Sequence, residues 1–174
     1  MMTSISKIEM APVILFDLDG TLVDSAGDLM AALGHVRKSI GLTEPTPAHA
    51  ANFVSGGAAA MMRAGLPPDW HGEIERLRNE FLEYYQQNIC VHSKLYPGAT
   101  ELFARLNAQG IAWGIVTNKP IALARQLTRA LKLEYAALLG GDSLGFKKPD
   151  PAPVLAACRQ LGIAAANTWM VGDD

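Results

Sequence analysis

The chain has 174 residues, of which 49% are hydrophobic and 18% are charged, an ordinary composition for a globular protein. A formal net charge of −2 without any basic stripe argues against a nucleic-acid partner. No apolar run is long enough to form a helix that spans a membrane, so we expect no membrane partner. Cys90 and Cys158 match no metal or redox spacing, and Met1 to Met10 contains no apolar signal sequence. We therefore expect a cytoplasmic protein with one core and room for a small second domain.

The first predicted element is a short buried strand ending at Phe16, followed directly by Asp17-Leu18-Asp19-Gly20. Side chains at i and i+2 of a strand point to the same side, so Asp17 and Asp19 are expected to project into one crevice. Two neighbouring carboxylates repel each other unless a cation or a shared proton lies between them. This predicts a hard metal such as Mg²⁺ together with a phosphate. The alternative is an ordinary turn at Asp19-Gly20.

Residues 25–91 show helical spacing and no strand pattern. Ser25 to Asp28 has the pattern of a capping box at a helix start. Apolar residues then recur at helical spacing in further segments, which predicts a small all-helical insert. Ser55-Gly56-Gly57 interrupts it; we interpret this turn as a helix break, with a substrate-facing turn as the alternative.

Beyond Tyr96, strands and helices alternate. Strands are predicted at 111–116, 135–139 and 168–171, with helices between them. This alternation predicts an α/β fold with a doubly wound, Rossmann-like parallel sheet and helices on both faces. Polar residues follow the strand ends, and the carboxyl ends of parallel strands share one crevice. These residues are Thr117, Asn118, Lys147, Lys148 and Asp173. For Thr117 and Asn118 alone, capping of the next helix is the competing interpretation.

The longer string from Phe16 to Ser25, placed directly after an apolar strand, resembles the signature of the haloacid dehalogenase superfamily of phosphohydrolases. The resemblance extends over the whole chain and is strongest to the phosphoglycolate phosphatase branch. It implies a Rossmann-like core formed by 1–24 and 92–174. It also implies that the helical insert, 25–91, is a mobile cap that closes over the substrate.

The resemblance also implies roles for individual residues. Asp17 would be the nucleophile that becomes an aspartyl phosphate, and Asp19 would be the general acid and then the general base. The backbone N–H groups of Leu18 and Asp19 would face the substrate phosphate. The Thr117 hydroxyl and the Asn118 N–H would bind phosphoryl oxygens.

The third and fourth motifs of the superfamily supply a lysine and a metal ligand. Lys148 is preferred over Lys147 because it directly precedes a proline, and it would contact both the nucleophile and the phosphate. Mg²⁺ would be held by Asp17, the Asp19 carbonyl and Asp173. The family motif continues beyond this point, whereas Asp174 is the last residue of this sequence. We therefore expect a truncated core, weaker metal binding, and weak activity or none.

The resulting hypothesis is a magnesium-dependent hydrolase of small phosphorylated metabolites, with phosphoglycolate as the expected substrate. A sugar-phosphate phosphatase, for example one acting on N-acetylmuramic acid 6-phosphate, or a phosphomutase would use the same four motifs. A phospho-acceptor signalling domain is a more distant alternative, because such domains have no cap and place the accepting aspartate on a middle strand. A non-catalytic fragment is a further alternative, and the oligomeric state is left open.

Overall fold

The computed structural model describes residues 12–44 and 46–173. Met1 to Met10 and Asp174, which the sequence analysis discusses, lie outside these ranges. None of the helices within these ranges has the length and apolar character needed to cross a membrane.

Two strands come first, a helical segment follows them, and strands and helices then alternate to the end of the described chain. In chain order they are β1 (Val13–Phe16), β2 (Val23–Asp24), α1 (Ala26–Ser39), a 3₁₀ helix (Ala48–Phe53), α2 (Gly57–Gly65), a second 3₁₀ helix (Pro68–Glu73), α3 (Ile74–Gln87), β3 (Lys94–Leu95), α4 (Ala99–Ala108), β4 (Trp113–Val116), α5 (Ile121–Ala130), β5 (Ala137–Leu139), α6 (Ala152–Leu161), a short 3₁₀ helix (Ala165–Asn167) and β6 (Thr168–Val171).

Four of the strands form a parallel sheet in the order β5-β4-β1-β6. Side chains alternate between its two faces. Phe16 and Ile115 pack with α4 and α5 on one face, whereas Leu15 and Val116 pack with α6 on the other. Trp113 belongs to the first face, where its ring stacks on Phe103 with centroids 4.3 Å apart. The predicted α/β, Rossmann-like parallel sheet with helices on both faces is therefore confirmed.

The helical segment between β2 and β3 builds a hydrophobic cluster, which Leu123 of α5 also joins. Helices α1, α2 and α3 pack around buried residues that include Leu33, Met61, Leu77 and Phe81. The chain leaves the sheet through β2 and returns through β3, and these two strands pair with each other in antiparallel orientation. The sequence did not predict this pair, because two-residue strands are too short to show a periodic pattern.

The predicted capping box at the start of α1 is wrong. Ser25 does not cap the helix; its hydroxyl donates to Asp19 Oδ1 at 2.6 Å. The Asp28 carboxylate accepts the backbone N–H groups of His92 and Ser93 at 2.7 and 3.0 Å, and the Ser93 hydroxyl at 2.6 Å. Both side chains therefore serve tertiary contacts: Ser25 holds Asp19, and Asp28 ties the start of the helical segment to the point where the chain returns to the sheet.

Candidate active site

Polar residues that follow three adjacent strands meet at one edge of the sheet. Asp17 follows β1, Thr117 follows β4 and Asp173 lies just beyond β6. The Asp17 backbone N–H donates to the Val171 carbonyl at 2.8 Å, which joins the ends of β1 and β6. Lys148 reaches the same point from the loop before α6, and its ammonium donates to Asp17 Oδ2. The four predicted motif positions therefore converge.

Asp17 is held in a buried position. It is 3% exposed, and its Oδ1 accepts the backbone N–H of Leu18 at 2.7 Å. Burial raises the pKa of the Asp17 carboxyl above its ordinary value, although the hydrogen bond and the charge of Lys148 oppose this effect. The neighbouring Asp19 carboxylate adds a smaller effect that also raises the pKa of Asp17. A further cation beside Asp17 would stabilise the ionised form that a nucleophile requires.

The loop after β1 is shaped around Asp173. Gly20 has a φ of +87°, in the left-handed region that favours glycine, and a Cβ at this position would collide with the Asp173 carboxylate. The Thr21 hydroxyl donates to Asp173 Oδ1 at 3.0 Å, and the Ser55 hydroxyl of the helical segment donates to Oδ2. Asp173 itself is exposed, which leaves its carboxylate accessible to a metal.

The predicted metal ligands are two carboxylates, Asp17 and Asp173, and the backbone carbonyl of Asp19. Residues 12–44 and 46–173 contain no cluster of three His, Cys, Asp or Glu side chains that could hold a metal. The predicted set does not need such a cluster, because its third ligand is a carbonyl. An all-oxygen set that includes a buried carboxylate fits Mg²⁺, which keeps several water or phosphate oxygens in its coordination shell.

Asp19 has a partner that the sequence analysis missed. The Lys119 ammonium lies 3.0 and 3.2 Å from the two oxygens of Asp19, and both side chains are buried. Complete burial lowers the pKa of Lys119, but the Asp19 carboxylate and Tyr85 outweigh it and hold the pKa above its ordinary value. Lys119 follows Thr117 by two residues in the polar segment after β4, which places it near the strand end but does not distinguish a buried lysine from a solvated one.

Thr117 and Asn118 do not cap helix α5. The Thr117 Oγ1 accepts the Lys119 backbone N–H at 3.2 Å, and the Asn118 side-chain amide donates to the Lys148 carbonyl at 3.0 Å. The first backbone N–H of α5 is instead bound by Asp142 Oδ1 at 2.7 Å. The helix-cap interpretation of Thr117 and Asn118 is therefore wrong, and the predicted contacts of these two residues with phosphate remain a prediction.

A cavity lies between the helical segment and the sheet edge. Its walls include Asp17, Asp19, Thr117, Asn118, Lys119 and Lys147 from the sheet side, and Ser55, Gly56, Gly57, Arg78, Phe81 and Tyr85 from the helical side. The Ser55–Gly57 turn thus lies at the cavity, which is where a substrate-facing turn would have to be. Contact of this turn with a substrate remains a prediction.

Two buried polar atoms on the cavity walls have no hydrogen-bond partner within the described chain, namely the Tyr85 hydroxyl and Asn118 Oδ1. Burial raises the pKa of Tyr85 to about 12, so the hydroxyl is a donor at neutral pH. The Tyr85 ring also lies over the Lys119 ammonium, 4.3 Å from ring centroid to nitrogen. Buried polar groups are normally paired with protein or water, and the pKa of Tyr85 already reflects an interaction with the Lys119 ammonium. Asn118 Oδ1 is therefore the atom that is open to water or to a polar ligand.

A family model described as haloacid dehalogenase-like hydrolase matches residues 14–174. The chain belongs to the haloacid dehalogenase-like hydrolases. It is 42% identical over 167 residues to an N-acetylmuramic acid 6-phosphate phosphatase of Pseudomonas aeruginosa, covering 92% of this chain and 73% of that protein. A phosphoglycolate phosphatase of Xanthomonas campestris is 39% identical over 163 residues, covering 92% of this chain and 74% of the relative.

Solved structures of haloacid dehalogenase-like hydrolases share this fold. The crystal structure of "a predicted phosphoglycolate phosphatase" from Haemophilus somnus superposes with a TM-score of 0.79 at 30% identity, covering 93% of this chain and 76% of that one. The family expected from the residues that follow β1 is thus confirmed. The expected enzyme class, a phosphoric monoester hydrolase, is confirmed as well.

Proposed function

We propose that this haloacid dehalogenase-like hydrolase cleaves small phosphomonoesters in two steps through an aspartyl phosphate on Asp17. The observation that carries the proposal is the pairing of the buried Asp17 carboxylate with Lys148, next to the Asp19–Lys119 pair. Asp17, Asp19 and Lys119 line one cavity, and Lys148 reaches Asp17 from beside it. A carboxylate attacks a phosphate dianion only when nearby cations offset the repulsion between them. Lys148 supplies one such charge directly at the nucleophile.

In the first step, an Asp17 oxygen forms a bond to phosphorus while the bond between phosphorus and the leaving-group oxygen breaks. Asp19 donates a proton to that oxygen as general acid, and the alcohol leaves. The carboxylate that results is the form that Lys119 and Ser25 hold in this structure. In the second step, Asp19 takes a proton from water, the water oxygen attacks phosphorus, and the bond to Asp17 breaks. Inorganic phosphate and the original carboxylate of Asp17 are regenerated. Lys119 and Ser25 keep Asp19 in place through both steps.

We propose that Asp17, Asp173 and the Asp19 carbonyl hold Mg²⁺. When bound, the ion neutralises charge on the phosphoryl oxygens. The backbone N–H of Asp19, the Thr117 hydroxyl, the Asn118 N–H and Lys148 bind the same oxygens. The Leu18 N–H, which donates to Asp17 Oδ1 in the structure, joins them when it releases that carboxylate oxygen. The contacts of Thr21 and Ser55 with Asp173 support this assignment, because they orient the Asp173 carboxylate at the end of β6.

We also propose that the chain divides into a core, 1–24 and 92–174, and a cap, 25–91. The hydrophobic cluster of the helices, to which only Leu123 among its described buried members comes from outside 25–91, and the β2–β3 pair at the two crossings support this division. A cap that closes over the cavity excludes water while the aspartyl phosphate forms.

Cys90 and Cys158 are unpaired, which supports a reducing, cytoplasmic location.

The primary substrate proposed is phosphoglycolate, after the Xanthomonas relative. The second candidate is N-acetylmuramic acid 6-phosphate, which is favoured by the higher identity to the Pseudomonas protein. Gly56, Gly57 and Ala58 line the cap side of the cavity, and such small residues leave room for a sugar ring.

The test of this function is a metal-dependent phosphate-release assay on a panel of phosphorylated metabolites. We expect release of inorganic phosphate from at least one of the two proposed substrates with Mg²⁺, and loss of release when EDTA removes the ion. Restoration by added Mg²⁺ separates metal dependence from irreversible unfolding by the chelator. Release that is indifferent to EDTA would overturn the metal assignment. No release from any phosphomonoester, either by this chain or by a chain extended to the length of its relatives, would overturn the function.

Lys148→Ala is expected to reduce kcat far more than Lys147→Ala, by roughly 10²-fold against less than about 3-fold. Lys148 contacts the nucleophile, whereas Lys147 is exposed on the cavity wall. The magnitude follows from the loss of one preorganised positive charge at the phosphoryl group. Steady-state kinetics of both variants at saturating Mg²⁺ measure the difference. A larger effect for Lys147→Ala would show that the motif lysine is misassigned.

A further inference from the structure

Arg78, on the cap side of the cavity, has no assigned role. It lies on α3, is half-buried, and lines the same cavity as Asp17 and Asp19. We propose that Arg78 binds a carboxylate on the leaving group of the substrate, so that the enzyme selects phosphomonoesters carrying a second, carboxylic acid group. This inference rests on the proposed phosphatase function and names the class of substrate.

The helix geometry directs Arg78 into the cavity. Arg78, Phe81, Leu82 and Tyr85 all line it, at the i, i+3, i+4 and i+7 spacing that defines one face of a helix. Tyr85 lies over Lys119, which holds Asp19, so the Tyr85 end of this face marks the position of the phosphate chemistry. Seven residues of helix span about 10 Å. Arg78 therefore lines the cavity about two helical turns from Tyr85, where its long side chain meets the part of a substrate that lies against the cap.

The charges on the cavity walls leave Arg78 available for a ligand. Both carboxylates of the cavity are engaged, Asp17 by Lys148 and Asp19 by Lys119. Within the described chain, Arg78 makes neither an ion pair nor a hydrogen bond. A guanidinium that is half-buried without an anion is unfavourable, and its planar fork matches a carboxylate through two parallel hydrogen bonds.

The chemistry of the two relatives agrees with this assignment. Phosphoglycolate and N-acetylmuramic acid 6-phosphate differ greatly in size, but each carries one carboxylate besides the phosphate. The cap wall beside Arg78 includes Gly57, Ala58 and Ala59, none of which carries a charge. Among the described residues that line the cavity, Arg78 is the cation on the cap side, whereas Lys147, which has no ion pair either, lies on the core side next to Lys148. A carboxylate against the cap wall therefore meets Arg78.

The same helix offers a matched control. Arg76 lies two residues before Arg78, is exposed, and pairs with Glu73 at 2.7 Å. It does not line the cavity, so Arg76→Ala removes an equal charge from α3 without touching the proposed site. Arg78→Lys keeps the charge but loses the planar fork, which separates general electrostatic attraction from two-point binding.

The experiment compares substrate pairs that differ in the carboxylate. One pair is 2-phosphoglycolate and 2-hydroxyethyl phosphate; the other is N-acetylmuramic acid 6-phosphate and N-acetylglucosamine 6-phosphate, which lacks the lactyl group. The readout is the ratio of kcat/KM within each pair. Arg78→Ala is expected to lower this ratio about 10- to 100-fold, the loss of one charge-assisted contact, and Arg78→Lys by an intermediate factor. Arg76→Ala is expected to leave the ratio unchanged.

The two pairs show which carboxylate Arg78 binds, that of phosphoglycolate or that of the lactyl group, because Arg78→Ala lowers the kcat/KM ratio only in the pair whose carboxylate contacts Arg78. A ratio that Arg78→Ala leaves unchanged in both pairs would overturn the inference. Equilibrium binding of the same four compounds in an Asp17→Asn background repeats the comparison without turnover. A fall in the binding ratio supports the role of Arg78 even if hydrolysis fails, so that failure of the proposed function and failure of this inference give different results.

Discussion

Asp17→Asn is expected to lower phosphomonoester turnover by at least about 10³-fold, because the neutral amide cannot form the aspartyl phosphate. The substitution keeps the size and shape of a side chain that is only 3% exposed, so the fold should persist. Lys148 loses its partner but is partly exposed, and its ammonium can turn to solvent. Steady-state kinetics give the turnover, and circular dichroism gives the fold.

A phosphoenzyme-trapping experiment makes this test specific for the nucleophile. The unmodified protein, quenched in acid during turnover of a ³²P-labelled substrate, should carry label that hydroxylamine removes, as an acyl phosphate does. The Asp17→Asn variant should carry none. Asp69→Asn, an exposed position in the cap, is the matched control and should behave like the parent protein. Label that persists in the Asp17→Asn variant would assign the nucleophile to another residue.

The strands of the sheet and the residues after them were predictable from local sequence. The apolar runs ending at Phe16 and Val116 are buried strands, and each is followed at once by polar residues. Because the carboxyl ends of parallel strands share one edge, strand prediction alone placed Asp17 near Thr117. The resemblance of 16–25 to a known signature then assigned the chemistry. Lys148 was chosen over Lys147 because it directly precedes a proline, and in the structure the Lys148 ammonium contacts Asp17.

The partners of these residues were not predictable in the same way. Lys119 meets Asp19 across 100 positions of sequence, and nothing local distinguishes a buried lysine from a solvated one. Ser25 and Asp28 satisfy the local pattern of a capping box, but tertiary partners compete for both side chains and prevail. The placement of Tyr85 above Lys119 depends on how the cap packs on the core, which helical periodicity does not specify.

Lys119→Met is expected to destabilise the protein by about 3–5 kcal/mol, the typical cost of removing one partner from a buried ion pair. Lys119 and Asp19 have side chains only 5% and 10% exposed, so the remaining Asp19 carboxylate would stay buried with Ser25 as its hydrogen-bond donor. Urea unfolding of the parent and the variant measures the change. Lys147→Met, at an exposed lysine of the same cavity, is the control and should change stability by less than about 0.5 kcal/mol.

The double variant Asp19→Asn/Lys119→Met separates the structural part of this pair from its catalytic part. Removing both charges leaves no uncompensated ion in the interior, so we expect the double variant to recover most of the stability lost in Lys119→Met. Turnover should not recover, because an amide at position 19 can neither donate nor accept the proton that the two steps require. A double variant that regains both stability and turnover would show that Asp19 serves the fold alone. Equal destabilisation in the single and double variants would instead mean that Lys119 contributes through its packing against Tyr85 and not through its charge.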